Sequence, residues 1–160
     1  MLPTGIDSKV FGHLTLRESE FGIAGSVERS GTFESVLTAG DNKVRIVLNP
    51  DFDWPYPDGA EKQIRSLLNT AEQIHTKLQA LGTDGIFKLH SSGIAQLGEY
   101  TGYDRWKASE EQLFANWVLE SEIFFTDGFR LIYAGHPIYY LDLLLEFDCK
   151  FCPTHVQFDG

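Results

Sequence analysis

Residues 50–59, PDFDWPYPDG, put three prolines and three aspartates into ten positions, and no regular element can run through them. Proline fixes its own φ, lacks the amide donor that helices and central strands require, and pushes the preceding residue toward extended conformations. The segment is a connector. It separates two stretches of chain whose hydrophobic periods differ.

Upstream, KVFGHLTLR, EFGIAGSVE, TFESVLT and KVRIVLN are short runs rich in Val, Ile, Phe and Thr, punctuated by RSGT and AGDN. An antiparallel meander is the economical topology. In the last run Val44, Ile46 and Leu48 fall on one face and Lys43, Arg45 and Val47 on the other, the alternation of a strand with one buried side. Downstream, Ile64, Leu67, Leu68, Ala71, Ile74, Leu78 and Leu81 recur at threes and fours, one face of a helix. Asp58 and Glu61 have the spacing of an N-cap and its reciprocal partner, and Gly82 stands where a left-handed residue ends a helix.

From 83 to 107 the glycines interrupt any sustained period, with Ile94, Leu97 and Tyr100 compatible with a short helix. SEEQLFANW, residues 109–117, opens with a capping serine and two acids and predicts a second short helix. ESEIFFTDGFRLIYAG reads as a hairpin with a two-residue Asp127-Gly128 turn, pairing Phe124 with Leu131 and Ile123 with Ile132. HPIYYLDLLLEF and HVQFDG read as two last strands. The expected fold is α+β: an antiparallel sheet, made of the N-terminal meander and the C-terminal strands, packed against one long helix and one or two short ones. The 160 residues match one globular domain, enough to bury roughly two-thirds of the unfolded surface.

Composition narrows the partners. A net charge of −10 disfavours nucleic acid and anionic membrane, because such a surface repels phosphate groups, and favours a basic protein. The opening MLPTGIDSKVFGHLTL lacks a basic leader with an apolar run, and no window reaches the roughly 18 apolar residues of a membrane span, so a cytoplasmic protein is expected. On the connector, Trp54 and Tyr56 stand among Asp51, Asp53 and Asp58. Amphipathic rings beside charges on a stiffened loop suit a protein interface, or the rings staple the loop to the core.

DCKFCPTH, residues 148–155, holds both cysteines in a C-x-x-C-x-x-H pattern. Cys149, Cys152 and His155 are candidate zinc ligands of a small enzyme or sensor, but structural zinc takes four protein ligands and no second knuckle follows. A redox pair would sit at a helix start, whereas Pro153 and extended neighbours surround this one. A turn with half-buried thiols is the remaining reading. Phosphate-loop, dinucleotide, nucleophile-elbow and H-E-x-x-H signatures are absent from the sequence. His136, beside Gly135 after a strand, has no partner named by the sequence and fits a core or edge position as well as a base.

The run EEQLFANWVLESEIFFTDGFRLIYAGHPIYYLDL, with FGHLTL near the start and KVRIVLNPDFD before the helix, resembles a bacterial domain family of unknown function, recurrent among immunity proteins of polymorphic toxin systems. Asp127, Gly128, Gly135 and His136 carry its most recognisable positions, and DCKFCPTH departs from its simpler final turn. The resemblance implies a non-enzymatic, cytoplasmic protein, with no cofactor or metal, that neutralises a cognate toxin by occluding its active site or binding surface. Acidity fits a basic, phosphate-binding toxin. The candidate partner-binding residues are Asp51, Asp53, Trp54, Tyr56 and Asp58 with Glu110, Glu111, Glu120 and Glu122, the last two on one face of a strand.

Overall fold

The computed structural model describes residues 2–23, 26–52, 55–90, 117–134 and 142–159. The elements are β1 (Gly5–Ser8), β2 (Gly12–Ile23), β3 (Ser26–Ala39), β4 (Asn42–Leu48), α1 (Ala60–Leu89), β5 (Val118–Phe124), β6 (Gly128–Ala134), β7 (Asp142–Asp148) and β8 (Pro153–Asp159). The strands form one eight-stranded sheet in chain order. β1 to β4 pair antiparallel in succession, as do β6, β7 and β8. The α+β expectation, a meander, a long helix and further strands, is met. The helix expected near 94–100 lies outside the described residues, as does that over 109–117 apart from Trp117, which is buried outside any helix. Among the described residues no helix is long and apolar enough to cross a membrane.

The chain divides into two compact units, Met1–Ile74 with Ile123–Thr126, and His75–Glu122 with Asp127–Gly160. In the first, Leu14, Phe33, Ile46 and Leu48 are wholly buried with Ile64 and Ala71 of α1, and Phe11 packs at 5.8 Å from Phe124. Val44, Ile46 and Leu48 are the buried face of β4 as its alternation predicts, although Val47 is buried too. Two strand limits differ from expectation. Lys9 to Phe11 turn instead of extending, because Ser8 Oγ accepts the amides of Val10 and Phe11 and Gly12 has a positive φ. The run 20–28 is shared between two strands, Glu20 to Ile23 ending β2 and Ser26 to Glu28 beginning β3, with Phe21 opposite Glu28 and Ile23 opposite Ser26, while Gly31 continues β3 opposite Glu18.

Helix α1 begins after Gly59, whose carbonyl accepts the amides of Lys62 and Gln63. The expected Asp58–Glu61 box is not formed: Gly59 takes the cap position, and Glu61 binds Arg65 one turn on, at 2.9 Å. Gly82, at φ 66° and ψ 175°, breaks the helix where the sequence puts its end, and a further helical segment follows to Leu89.

In the second unit Phe129, Leu131 and Tyr133 of β6 stand opposite Phe147, Leu145 and Leu143 of β7, and all six are buried. Helix α1 lies against this face, with the ring of Phe87 5.0 Å from that of Tyr133 and that of His90 5.0 Å from Phe147. The two-residue Asp127-Gly128 turn is not present. β5 ends at Phe124, β6 begins at Gly128, and neither Asp127 nor Gly128 has a positive φ. Glycine is required at 128 for a different reason: a Cβ there would lie 2.2 Å from the carbonyl oxygen of Phe147.

Candidate functional site

The connector follows from its composition. Asn49 Oδ1 accepts the amide of Asp51, an Asx turn that holds Asp51 at φ 56°, a conformation aspartate tolerates better than most residues. Phe52 is then buried, and the Asp51 side chain faces solvent. Tyr56 returns to the sheet: its hydroxyl donates to Glu18 Oε1 at 3.1 Å, and its oxygen lies 2.9 Å from where a Gly31 Cβ would be. Burial, then Glu18, pushes the Tyr56 phenol above its ordinary value. Tyr56 is thus a half-buried staple fixing the loop, and Asp51 and Asp58 are the exposed acids that the loop presents. Asp53 and Trp54 lie outside the described residues.

Of the four glutamates assigned to the second patch, Glu110 and Glu111 lie outside the described residues. Glu120 is exposed on β5. Glu122 is not on the surface: it is 3% exposed, and its Oε2 accepts from Nδ1 of His75, also buried, at 2.7 Å. Alternation places Glu120 and Glu122 on one side of β5, but α1 brings His75 over the second of them, so the strand's polar face passes under cover. Sequence reasoning read Glu122 as surface and left His75 aside, because a buried acid and its base here are 47 residues apart on different elements. Next to this pair Tyr133 is wholly buried, its hydroxyl without a hydrogen-bond partner among the described residues, and burial followed by the Glu122 charge pushes its phenol far up.

The cysteine segment is a tight reversal joining β7 to β8. The amide of Asp148 donates to the Cys152 carbonyl at 2.9 Å and that of Phe151 to the Asp148 carbonyl at 3.0 Å, while Asp148 Oδ1 accepts from the amides of Lys150 and Cys152. Phe151, at φ 65°, turns its ring inward against Phe129, with the Lys77 ammonium 4.0 Å from its centroid. Both thiols are exposed and reduced. Burial and then the carboxylates of Asp127 and Asp148 push the Cys149 thiol up, the reverse of what an activated nucleophile needs. Cys149, Cys152 and His155 do not converge: among the described residues no group of three His, Cys, Asp or Glu side chains could hold a metal ion. His155 is on β8 opposite Glu146, and its carbonyl accepts from His90 Nε2. His136 lies outside the described residues.

The charge of the surface is unequally matched. Arg29 binds Glu20, Arg45 binds Glu34, Arg65 binds Glu61, and Arg130 binds Glu146. At Glu34 burial pulls the carboxyl up, but the hydrogen bond and charge of Arg45 outweigh it and the net displacement is downward. Asp58 and Glu120, both exposed, have no such cation among the described residues.

No protein-family model, curated protein or solved structure matches this chain. Its own chemistry therefore carries the functional reading.

Proposed function

We propose that the protein is a non-enzymatic immunity-type binder that neutralises a basic bacterial toxin in the cytoplasm by covering its active site or binding surface. The observation that carries the reading is the pattern of ion pairs. Arg29, Arg45, Arg65 and Arg130 are held by carboxylates of the same chain, whereas Asp51, Asp58 and Glu120 of this −10 molecule are exposed and have no such cation among the described residues. Exposed carboxylates with no internal cation keep their field available to a partner. They stand in for phosphate oxygens before a nuclease-like basic cleft, and their attraction accelerates docking more than it tightens the docked state. The connector supports the same reading, since Phe52, which is buried, and Tyr56, which is bonded to Glu18, have little freedom to lose on binding.

Co-expression with the product of the reading frame immediately upstream tests this. Protection of the host cell and a co-purifying complex are the expected results; continued toxicity with no complex would refute the pairing. In that complex, Asp51→Asn, Asp58→Asn and Glu120→Gln together are expected to slow association about tenfold at low salt and much less at 0.5 M salt, with Tm unchanged.

A further inference from the structure

The sheet ends at β8, and among the described residues no strand pairs with its outer side. We propose that two copies of this chain associate through β8, the strand pairing antiparallel with its own counterpart about a twofold axis at Gln157, an interface separate from the toxin-binding reading. The two ends of the sheet differ. β1 is four residues long, whereas β8 runs for seven, Pro153–Asp159, and most of it is exposed. Edge strands are shielded by brevity, lysine, proline or a bulge. In β8 the proline is the first residue, and the register shift lies beside it, where Phe147 faces Pro153. Residues 154–158, Thr-His-Val-Gln-Phe, contain no Asp, Glu, Lys, Arg, Gly or Pro, so the middle of this edge has none of those guards. The His155 carbonyl accepts from His90 Nε2 at 2.9 Å, which ties the strand to the end of α1 and leaves it less to lose on docking.

The side-chain pattern selects the occupant. Val156 and Phe158 stand opposite Leu145 and Leu143, so they carry the buried row of β6 and β7 one strand further, where it is left half-buried. A strand added alongside covers that row only if it brings apolar residues at matching alternate positions. β8 itself does so. With Gln157 on the axis, Val156 faces the second copy's Phe158 and Phe158 its Val156, while on the other face His155 meets an Asp159 carboxylate at each end of the pairing. An axis at Val156 would bring Pro153 into the ladder opposite Asp159, and one at Phe158 would shorten the pairing and set Gln157 against Asp159. Gln157 Nε2 already donates to Asp159 Oδ1 at 2.9 Å, which orders the polar face along the strand. The pairing is isologous and closes as a dimer. Two molecules of charge −10 repel each other, so this association gains with salt, the reverse of attraction to a basic partner.

The test is sedimentation equilibrium of the full chain alone, from about 10 to about 500 µM and in salt of about 0.05 and about 0.5 M, because so short an interface is weak and the repulsion is screened. A monomer–dimer equilibrium that moves toward dimer with salt is expected. Gln157→Glu would set two new carboxylates at the axis beside the two of Asp159, and should weaken self-association at least about tenfold. The position is exposed, so circular dichroism should not change. An equimolar mixture of Gln157→Glu with Gln157→Lys should associate again as a mixed dimer, since an axis at 157 sets those two side chains directly opposite. A monomer under every condition would overturn the proposal. So would a dimer indifferent to Gln157→Glu, or a mixture that associates no better than Gln157→Glu alone.

Discussion

His75 Nδ1 and Glu122 Oε2 meet at 2.7 Å inside the protein, an acid and a base both removed from water and tied to each other. Breaking a buried pair by removing one member costs far more than replacing both by apolar groups, since a lone charge keeps its desolvation cost without compensation. Glu122→Leu is therefore expected to lower stability by about 3 kcal/mol, and the double variant His75→Leu with Glu122→Leu by clearly less than the sum of the singles His75→Leu and Glu122→Leu. Urea unfolding of the four proteins measures the coupling; additive effects would show that the two residues act independently.

Gly128→Ala tests the close approach of β6 and β7. Because the new methyl would meet the Phe147 carbonyl at 2.2 Å, one strand must shift, at a cost of about 2 kcal/mol. Gly40→Ala is the control: nothing lies near its Cβ, and only the positive φ is strained. The larger loss in Tm should fall at 128.

Alkaline stability should depend on Tyr133. Burial and the Glu122 charge raise its phenol in the folded state, whereas the unfolded chain ionises near pH 10. The unfolded state releases the proton first, so stability is complete below about pH 10 and declines as pH rises beyond it. Tyr133→Phe should flatten that decline in denaturant midpoints taken from pH 9 to about pH 11; an unaltered slope would place its origin elsewhere.

Acid stability carries the opposite sign at Glu34. Its carboxyl is held below the ordinary value, so the Arg45 pair contributes above the unfolded pKa of about 4.3 and is lost as pH falls through the folded one. Both side chains reach solvent, and screening keeps the effect under about 1 kcal/mol. Glu34→Gln should cost that amount at pH 7 in low salt and little in 1 M salt or at pH 3.

Periodicity carried far in this chain where a residue's partners lie close by. The stripe from Ile64 to Leu78, the stop at Gly82 and the alternation of Val44, Ile46 and Leu48 were all legible, because burial on one face repeats with the geometry of the element. Turn chemistry was less so. Gly128 looks like a turn residue and is a packing residue; the run 20–28 has the composition of one strand and is divided between β2 and β3; Asp58 has cap spacing and yields the position to Gly59. The surface acids Asp51, Asp58 and Glu120 could be found from charge, but Glu122 could not be told from them, since its cover comes from His75 on another element.

The succession of the strands has a consequence for how quickly the molecule assembles. Neighbours that follow one another along the chain close short loops at little entropic expense, so β1 to β4, and separately β6 to β8, can zip locally. The Asn49 amide, however, donates to the Phe124 carbonyl, and the whole of α1 and the residues after it intervene. That junction, with the packing of Phe11 against Phe124, is among the long-range contacts that raise the contact order of the chain, and closing such contacts is the step expected to slow its folding.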